Sequence, residues 1–236
     1  MSSMPRDGSK LASHCRARDS RPLRTGIVSA LYDMTGKWTP GTIRSNAAWS
    51  PAPSSGLRTQ VTAYKLVNNF DDLSKIQNDM AGTYALGSAL TTDLKDTSQF
   101  PVLGQASRTA FTGQFDGMGH IITNWKHNGT EQADKSDDAD VGLFWRIGSG
   151  GTVRNLDLYV NVDAANTYLG ALAGVNDGLI ANVHTDGFVD STGTRATGGI
   201  VGLNNGTIEH SSSSAAVAGA GPVGNIAGVN HGTIVP

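Results

Sequence analysis

Gly170-Ala171-Leu172-Ala173-Gly174-Val175-Asn176-Asp177-Gly178-Leu179-Ile180 recurs as Gly198-Gly199-Ile200-Val201-Gly202-Leu203-Asn204-Asn205-Gly206-Thr207-Ile208 and as Gly224-Asn225-Ile226-Ala227-Gly228-Val229-Asn230-His231-Gly232-Thr233-Ile234. A shorter form, Gly142-Leu143-Phe144, precedes them, so the leading glycines fall at 142, 170, 198 and 224. The three full copies share one pattern: Gly, any residue, apolar, Ala or Val, Gly, apolar, Asn, any residue, Gly, Leu or Thr, Ile. Short apolar runs at a constant spacing of roughly 20–50 residues, without a helical signal, indicate a β-solenoid.

In a solenoid each repeat is one coil whose strands bond to the coils above and below. Leu172, Ile200 and Ile226 are then expected to stack at one inward position, about 4.8 Å apart. The recurring glycines are expected at corners, which need positive φ or close backbone approach. Asn176, Asn204 and Asn230 are expected at one corner, where asparagine tolerates the left-handed region, or as a ladder of stacked amides. The competing arrangement is an antiparallel sandwich, for which Asn205-Gly206 is a good hairpin dipeptide. A hairpin fold, however, does not require one pattern three times at near-constant spacing.

Working outward, the texture changes near residue 60. The preceding stretch holds five of the eight prolines (Pro5, Pro22, Pro40, Pro51 and Pro53) and many Arg and Ser. Residues 1–60 are therefore expected to be irregular or poorly ordered, with Trp38 and Trp49 as the parts that pack. Phe70, Leu73, Ile76 and Met80 have the spacing of one short amphipathic helix near 70–80, with Gly82 as its stop. Residues 61–236 then form the solenoid, with repeats starting near 141, 169, 197 and 223.

Composition agrees. Thirty of 236 residues are Gly, charged residues are 16% and aromatics 6%, which disfavours helical bundles and coiled coils. A net charge of −2 disfavours broad attraction to nucleic acid or an anionic membrane. Cys15 is the single cysteine, so no intrachain disulfide or cysteine-based zinc site is possible. No apolar run is long enough to span a bilayer. Arg6, Lys10, Arg16, Arg18, Arg21 and Arg24 are followed by no apolar stretch of export-signal length. The expectation is a chain that stays inside the cell or is a piece of something longer.

Tyr64-Lys65-Leu66-Val67-Asn68-Asn69-Phe70-Asp71-Asp72-Leu73, then Gly82-Thr83-Tyr84-Ala85-Leu86-Gly87, resembles the opening of a segment of filamentous-haemagglutinin-like bacterial adhesins. Phe100-Pro101-Val102-Leu103-Gly104 with Phe111-Thr112-Gly113-Gln114-Phe115-Asp116-Gly117 resembles that segment's centre. Val141-Gly142-Leu143-Phe144 and the later repeats resemble their GLUG motif. The resemblance covers about 64–236. It implies a right-handed parallel β-helix on a secreted or cell-surface protein, exported through an outer-membrane partner and serving cell adhesion. This chain departs from that pattern in showing no signal peptide and no secretion domain, and in having few repeats.

Parallel β-helices also carry polysaccharide lyases and glycoside hydrolases, whose sites need converging carboxylates. The candidates are Asp116, Asp157, Asp163, Asp177, Asp186 and Asp190, of which Asp157 and Asp186 have near-equivalent coil positions and could share a face. The favoured expectation for all six is a solvated surface or turn. His120, His184, His210 and His231 show no metal-ligand spacing. Asp134, Asp137, Asp138 and Asp140 could hold Ca²⁺ but match no calcium-loop pattern, so a solvated loop is expected. Ser211-Ser212-Ser213-Ser214 reads as a polar face, because no base stands at a recognisable distance in sequence. No catalytic, cofactor-binding or metal residue is assigned.

The reading is a non-enzymatic structural and adhesive segment whose partners are surface glycans or proteins. A carbohydrate-active enzyme and an intracellular scaffold are the alternatives. The last strands, around Ile226 and Val229, carry no Lys or Glu, so self-association through the C-terminal edge is also expected.

Overall fold

The computed structural model describes residues 26–33, 59–91, 100–128, 140–165 and 167–236. The chain divides into two compact units, residues 1–28 with 43–61 and residues 29–42 with 62–236. The second contains the solenoid. Of the first, only 26–28 and 59–61 are among the described residues, as strand.

Strands β1 (Gly26–Asp33) and β2 (Thr59–Val67) come first. Gly26–Asp33 is thus a strand within the stretch expected to be irregular; Cys15, Trp38 and Trp49 lie outside the described residues. Helix α1 (Phe70–Lys75) starts at Asn69, whose side chain accepts the Asp72 N–H at 2.8 Å, a standard N-cap. It is shorter than the spacing predicted, because a 3-10 turn at Ile76–Asn78 closes it. Gly82 is not its cap. It lies beyond that turn, where its N–H bonds to the Asp79 carbonyl at 3.1 Å.

The coils follow. β3 (Thr83–Leu86), β4 (Leu90–Thr91) and β5 (Gln114–Asn128) precede β6 (Phe144–Ile147) and β7 (Thr152–Ala164). Next come β8 (Leu169–Gly170), β9 (Ala173–Asn176) and β10 (Leu179–Ser191). The following coil has β11 (Thr197–Gly198), β12 (Val201–Asn204), β13 (Thr207–Glu209), β14 (Ser212–Ser213) and β15 (Ala216–Gly219); β16 (Val223–Gly224), β17 (Ala227–Asn230) and β18 (Thr233–Val235) form the last described coil.

From β2 to β18 the ladders are parallel, in three sheets. The long sheet runs β2-β3-β5-β7-β10-β13-β18, with β14 and β15 also against β10; the shorter ones run β8-β11-β16 and β6-β9-β12-β17. Asn176 pairs with Asn204, and Asn204 with Asn230, in parallel register. The antiparallel sandwich is thereby excluded, and the chain is a parallel β-helix.

The expected apolar column is present. Leu172 and Ile200 are fully buried, and Ile226 packs on the same core. The Leu172 N–H donates to the Ile200 carbonyl and that of Ile200 to Ile226, each at 2.9 Å. Phe111, Phe115 and Phe144 continue the core towards the N-terminal coils. The Gly142 copy is out of step by one residue. Val141 pairs with Leu169, but Phe144 pairs with Ala173 rather than with Leu172.

Close approach, not positive φ, explains the repeat glycines. A Cβ on Gly198 would stand 2.6 Å from the Gly228 nitrogen, and one on Gly206 2.2 Å from the Gly178 carbonyl oxygen. The asparagines divide the two expected roles. Asn176, Asn204 and Asn230 keep negative φ and stack their amides; Asn124, at φ 64°, is left-handed, and so are Asn155, Asn182 and His210, at φ 52°, 52° and 49°. Asn155, Asn182 and His210 bend the long side of successive coils at one place. Asn182 Nδ2 donates to Asn155 Oδ1 at 3.3 Å across the first two of them.

Candidate functional site: the outer face of the long sheet

Beyond that bend, β7 and β10 alternate strictly. Leu158, Val160 and Val162, with Thr185, Gly187 and Val189, point inward; Asp157, Tyr159 and Asn161, with Asp186, Phe188 and Asp190, point to solvent. Adjacent rungs pair Asp157 with His184, Tyr159 with Asp186, Asn161 with Phe188 and Asp163 with Asp190. Asp157 and Asp186 therefore do share one face, on neighbouring strands and offset by two residues. Asp163 and Asp190 stand directly opposite each other on the same sheet. The surface presents these carboxylates as a strip in register along two neighbouring strands.

The two remaining candidates lie elsewhere. Asp177 is exposed at a corner and accepts from Asn205 Nδ2 at 2.8 Å. Asn205 and His231 fill the same exposed position in the next coils. Asp116 is buried, contrary to expectation. Its carboxylate accepts from Arg154 Nε at 2.8 Å, Asn155 Nδ2 at 3.0 Å and the Met118 N–H at 2.9 Å. Arg154 in turn donates to the Tyr64 hydroxyl at 2.6 Å. This cluster ties β2, β5 and β7 together and leaves the carboxylate no free face for chemistry.

Asp140 also corrects an expectation. Asp134, Asp137 and Asp138 lie outside the described residues, but Asp140 is wholly buried rather than part of a solvated loop. Arg146 holds it through Nε at 2.8 Å and a terminal nitrogen at 2.7 Å, and the Tyr168 N–H donates to it at 3.3 Å. Burial raises its pKa above the ordinary carboxylate range despite the opposing Arg146 charge. Among the described residues no group of three His, Cys, Asp or Glu could hold a metal ion. No helix among them is long and apolar enough to cross a membrane.

The serine run holds the main surprise. His184 Nδ1 lies 2.9 Å from Ser212 Oγ, and Ser214 Oγ lies 3.2 Å from its Nε2. With Asp157 one rung below, carboxylate, imidazole and hydroxyl follow one another up three coils. The base that seemed absent in sequence stands one repeat away. Even so, the order differs from a catalytic relay, in which the second ring nitrogen meets the carboxylate; here a second serine takes it. The backbone N–H groups of Ser214 and Ala215 already donate to the Thr185 carbonyl (2.8 Å) and Ser213 Oγ (3.2 Å), so neither can stabilise an oxyanion.

His127 went unnoticed in the sequence. It faces the core beside Trp125, their rings stacked with centroids 6.1 Å apart. Its Nδ1 is 3.4 Å from the Phe100 carbonyl oxygen, while Nε2 and Trp125 Nε1 are buried without a hydrogen-bond partner. Burial lowers its pKa. Alternation counted from Ile122 would have placed it outward; the bulge between Ile122 and Trp125 resets the pattern, so that Trp125 and His127 face inward opposite Val160 and Val162.

No family model matches the chain. It is 31% identical over 169 residues to halomucin of Haloquadratum walsbyi, covering 68% of this chain and 2% of that protein. It is 38% identical over 89 residues to a protein of Evansella cellulosilytica that bears the name Gly-rich membrane protein, covering 36% of this chain and 9% of that one. A crystal structure from Bacteroides ovatus that carries the name immunoglobulin A1 protease has a TM-score of 0.57 at 21% identity, over 73% of this chain and 55% of that one. At that identity the likeness concerns the fold alone: what this chain shares with a solved protein is the coiled parallel β architecture.

Proposed function

We propose that the chain is a non-enzymatic, structural and adhesive β-helix segment of a secreted or cell-surface protein, of the filamentous-haemagglutinin-like kind with GLUG repeats. The observation that carries this reading is the outer face of the long sheet. Its polar side chains face solvent in register, an arrangement suited to weak contacts repeated along a surface. The names of the two relatives, a halomucin and a membrane protein, support a location at the cell surface. Surface glycans or proteins are its partners in this reading, and an outer-membrane exporter delivers it. Self-association through the C-terminal edge, where Val223, Ile234 and Val235 are exposed, belongs to the same reading. Antibody labelling of unpermeabilised cells, with attachment of protein-coated beads to cells, tests the reading. Labelling that requires permeabilisation, and beads that do not attach, would overturn it.

One observation favours an enzyme instead, namely the Ser212 hydroxyl beside His184. A fluorophosphonate probe separates the two. The adhesive reading expects no labelling, and labelling lost in Ser212→Ala would establish a reactive serine.

A further inference from the structure

Among the described residues Phe188 is the most exposed of the large apolar side chains, at 56%, and it stands in mid-strand on the face just described. Tyr159, at 36%, is its diagonal neighbour on β7. The strand is locally distorted at this point. Gly187 has φ +103°, and a Cβ there would stand 2.0 Å from the Val160 carbonyl oxygen. Asp186 fixes the bend by accepting the Gly187 N–H at 2.7 Å. Around the two rings stand Asp157, Asp163, Asp186 and Asp190. Residues 157–164 and 183–191 contain no Lys or Arg; the cation bordering them is Lys126, on the adjacent strand beside Asn161. Exposed aromatic faces among carboxylates suit a cation, and guanidinium above all, because it stacks on rings and also pairs with carboxylates.

The sequence supplies such a group. Residues 1–63 carry nine Lys and Arg against three Asp, while residues 64–236 carry nine against seventeen Asp and Glu. The near-neutral total conceals a basic segment and an acidic solenoid. Six of the cations fall between Arg6 and Arg24.

We propose that the Phe188–Tyr159 face binds the Arg-rich segment 6–24 of a second copy of the chain. Such a contact joins two different surfaces, so it propagates from copy to copy. It rests on the adhesive reading, in which repeated weak contacts are the working principle. It gives that reading a specific self-association site, distinct from the C-terminal edge.

The test is sedimentation of the full-length chain at tens of micromolar, in low and high salt. The expected result is concentration-dependent association that high salt reverses. It should weaken roughly tenfold in Asp186→Asn/Phe188→Ala/Asp190→Asn and be competed by a synthetic peptide of residues 1–25. Circular dichroism checks that the variant folds. A monomer throughout would overturn the proposal, as would association that survives the triple variant and the peptide; the latter would assign it to the C-terminal edge. Neither outcome touches the surface-labelling test, so this proposal can fail while the adhesive reading stands.

Discussion

The side-chain amide of Asn176 donates to that of Asn204 at 2.8 Å, and Asn204 donates to Asn230 at 2.7 Å. Each nitrogen also lies near a carbonyl of its own coil, Gly178 for Asn176 and Gly206 for Asn204, at 3.4 Å. Asn176 and Asn204 are fully buried. An amide is the group that can accept from one coil and donate to the next along such a column.

Removing the middle member therefore strands a buried group. Asn204→Ala should cost about 2–3 kcal/mol, because the Asn176 donor loses its acceptor inside the fold. Asn230→Ala should cost less, about 1 kcal/mol: it too removes an acceptor, that of Asn204 Nδ2, but at an exposed position where water takes its place. Denaturant midpoints compare the two. Equal losses would show that the ladder is incidental.

Glycine positions separate close packing from backbone conformation. Gly198→Ala puts a methyl 2.0 Å from the Val201 carbonyl oxygen and 2.6 Å from the next coil's backbone. It should cost several kcal/mol or prevent folding. Gly150→Ala meets nothing within 4 Å and only has to hold φ +86°, at about 1 kcal/mol. Soluble yield and thermal midpoint of both variants decide, and similar behaviour would contradict the packing account.

Arg146 compensates a carboxylate that water cannot reach. Arg146→Met should destabilise by about 3 kcal/mol, since the buried Asp140 is left without its charge partner. Asp140→Asn with Arg146 retained should cost less, because Arg146 is partly exposed. A larger loss in Asp140→Asn would show that the arginine is the dependent member.

Acid should weaken the fold through His127. Its pKa is lowered by burial, against an unfolded value of about 6.5. Above that pH both states are neutral and the contribution is fully present. As pH falls towards the folded value, the unfolded chain takes up a proton that the folded chain refuses, and stability declines. Asp163 opposes the shift without reversing it. Asp140 acts in the other direction, its raised pKa favouring the fold at lower pH. His127→Gln isolates the histidine: urea midpoints between about pH 7 and 5 should vary less than in the parent. An unchanged slope would remove His127 from the account.

The solenoid was legible because Leu172, Ile200 and Ile226 repeat at the period of the coil, and anything one period apart becomes a neighbour. The same arithmetic would have found the histidine–serine contact. His184 and Ser212 are 28 residues apart, and Asp157 precedes His184 by 27. Distance along the chain was the wrong measure for that pair. Arg154 and Tyr64 are 90 residues apart, and the coil of Tyr64 carries no repeat sequence, so no alignment could join them. Asp140 looked solvated because of its acidic neighbours, and its partner Arg146 lies on the following strand. Phe188 was visible only as a break in alternation, a large apolar residue at an outward position.

Disulfide trapping tests the coil register most directly. Asp177 and Asn205 are exposed and one coil apart, and their side chains meet at 2.8 Å. Stacked coils bring such Cα atoms to about 4.8 Å, inside the range a disulfide spans. With Cys15 replaced by Ser, the Asp177→Cys/Asn205→Cys chain should oxidise rapidly to an intramolecular disulfide and keep its β-sheet spectrum. A chain that stays reduced under mild oxidation while remaining folded would contradict the parallel coil.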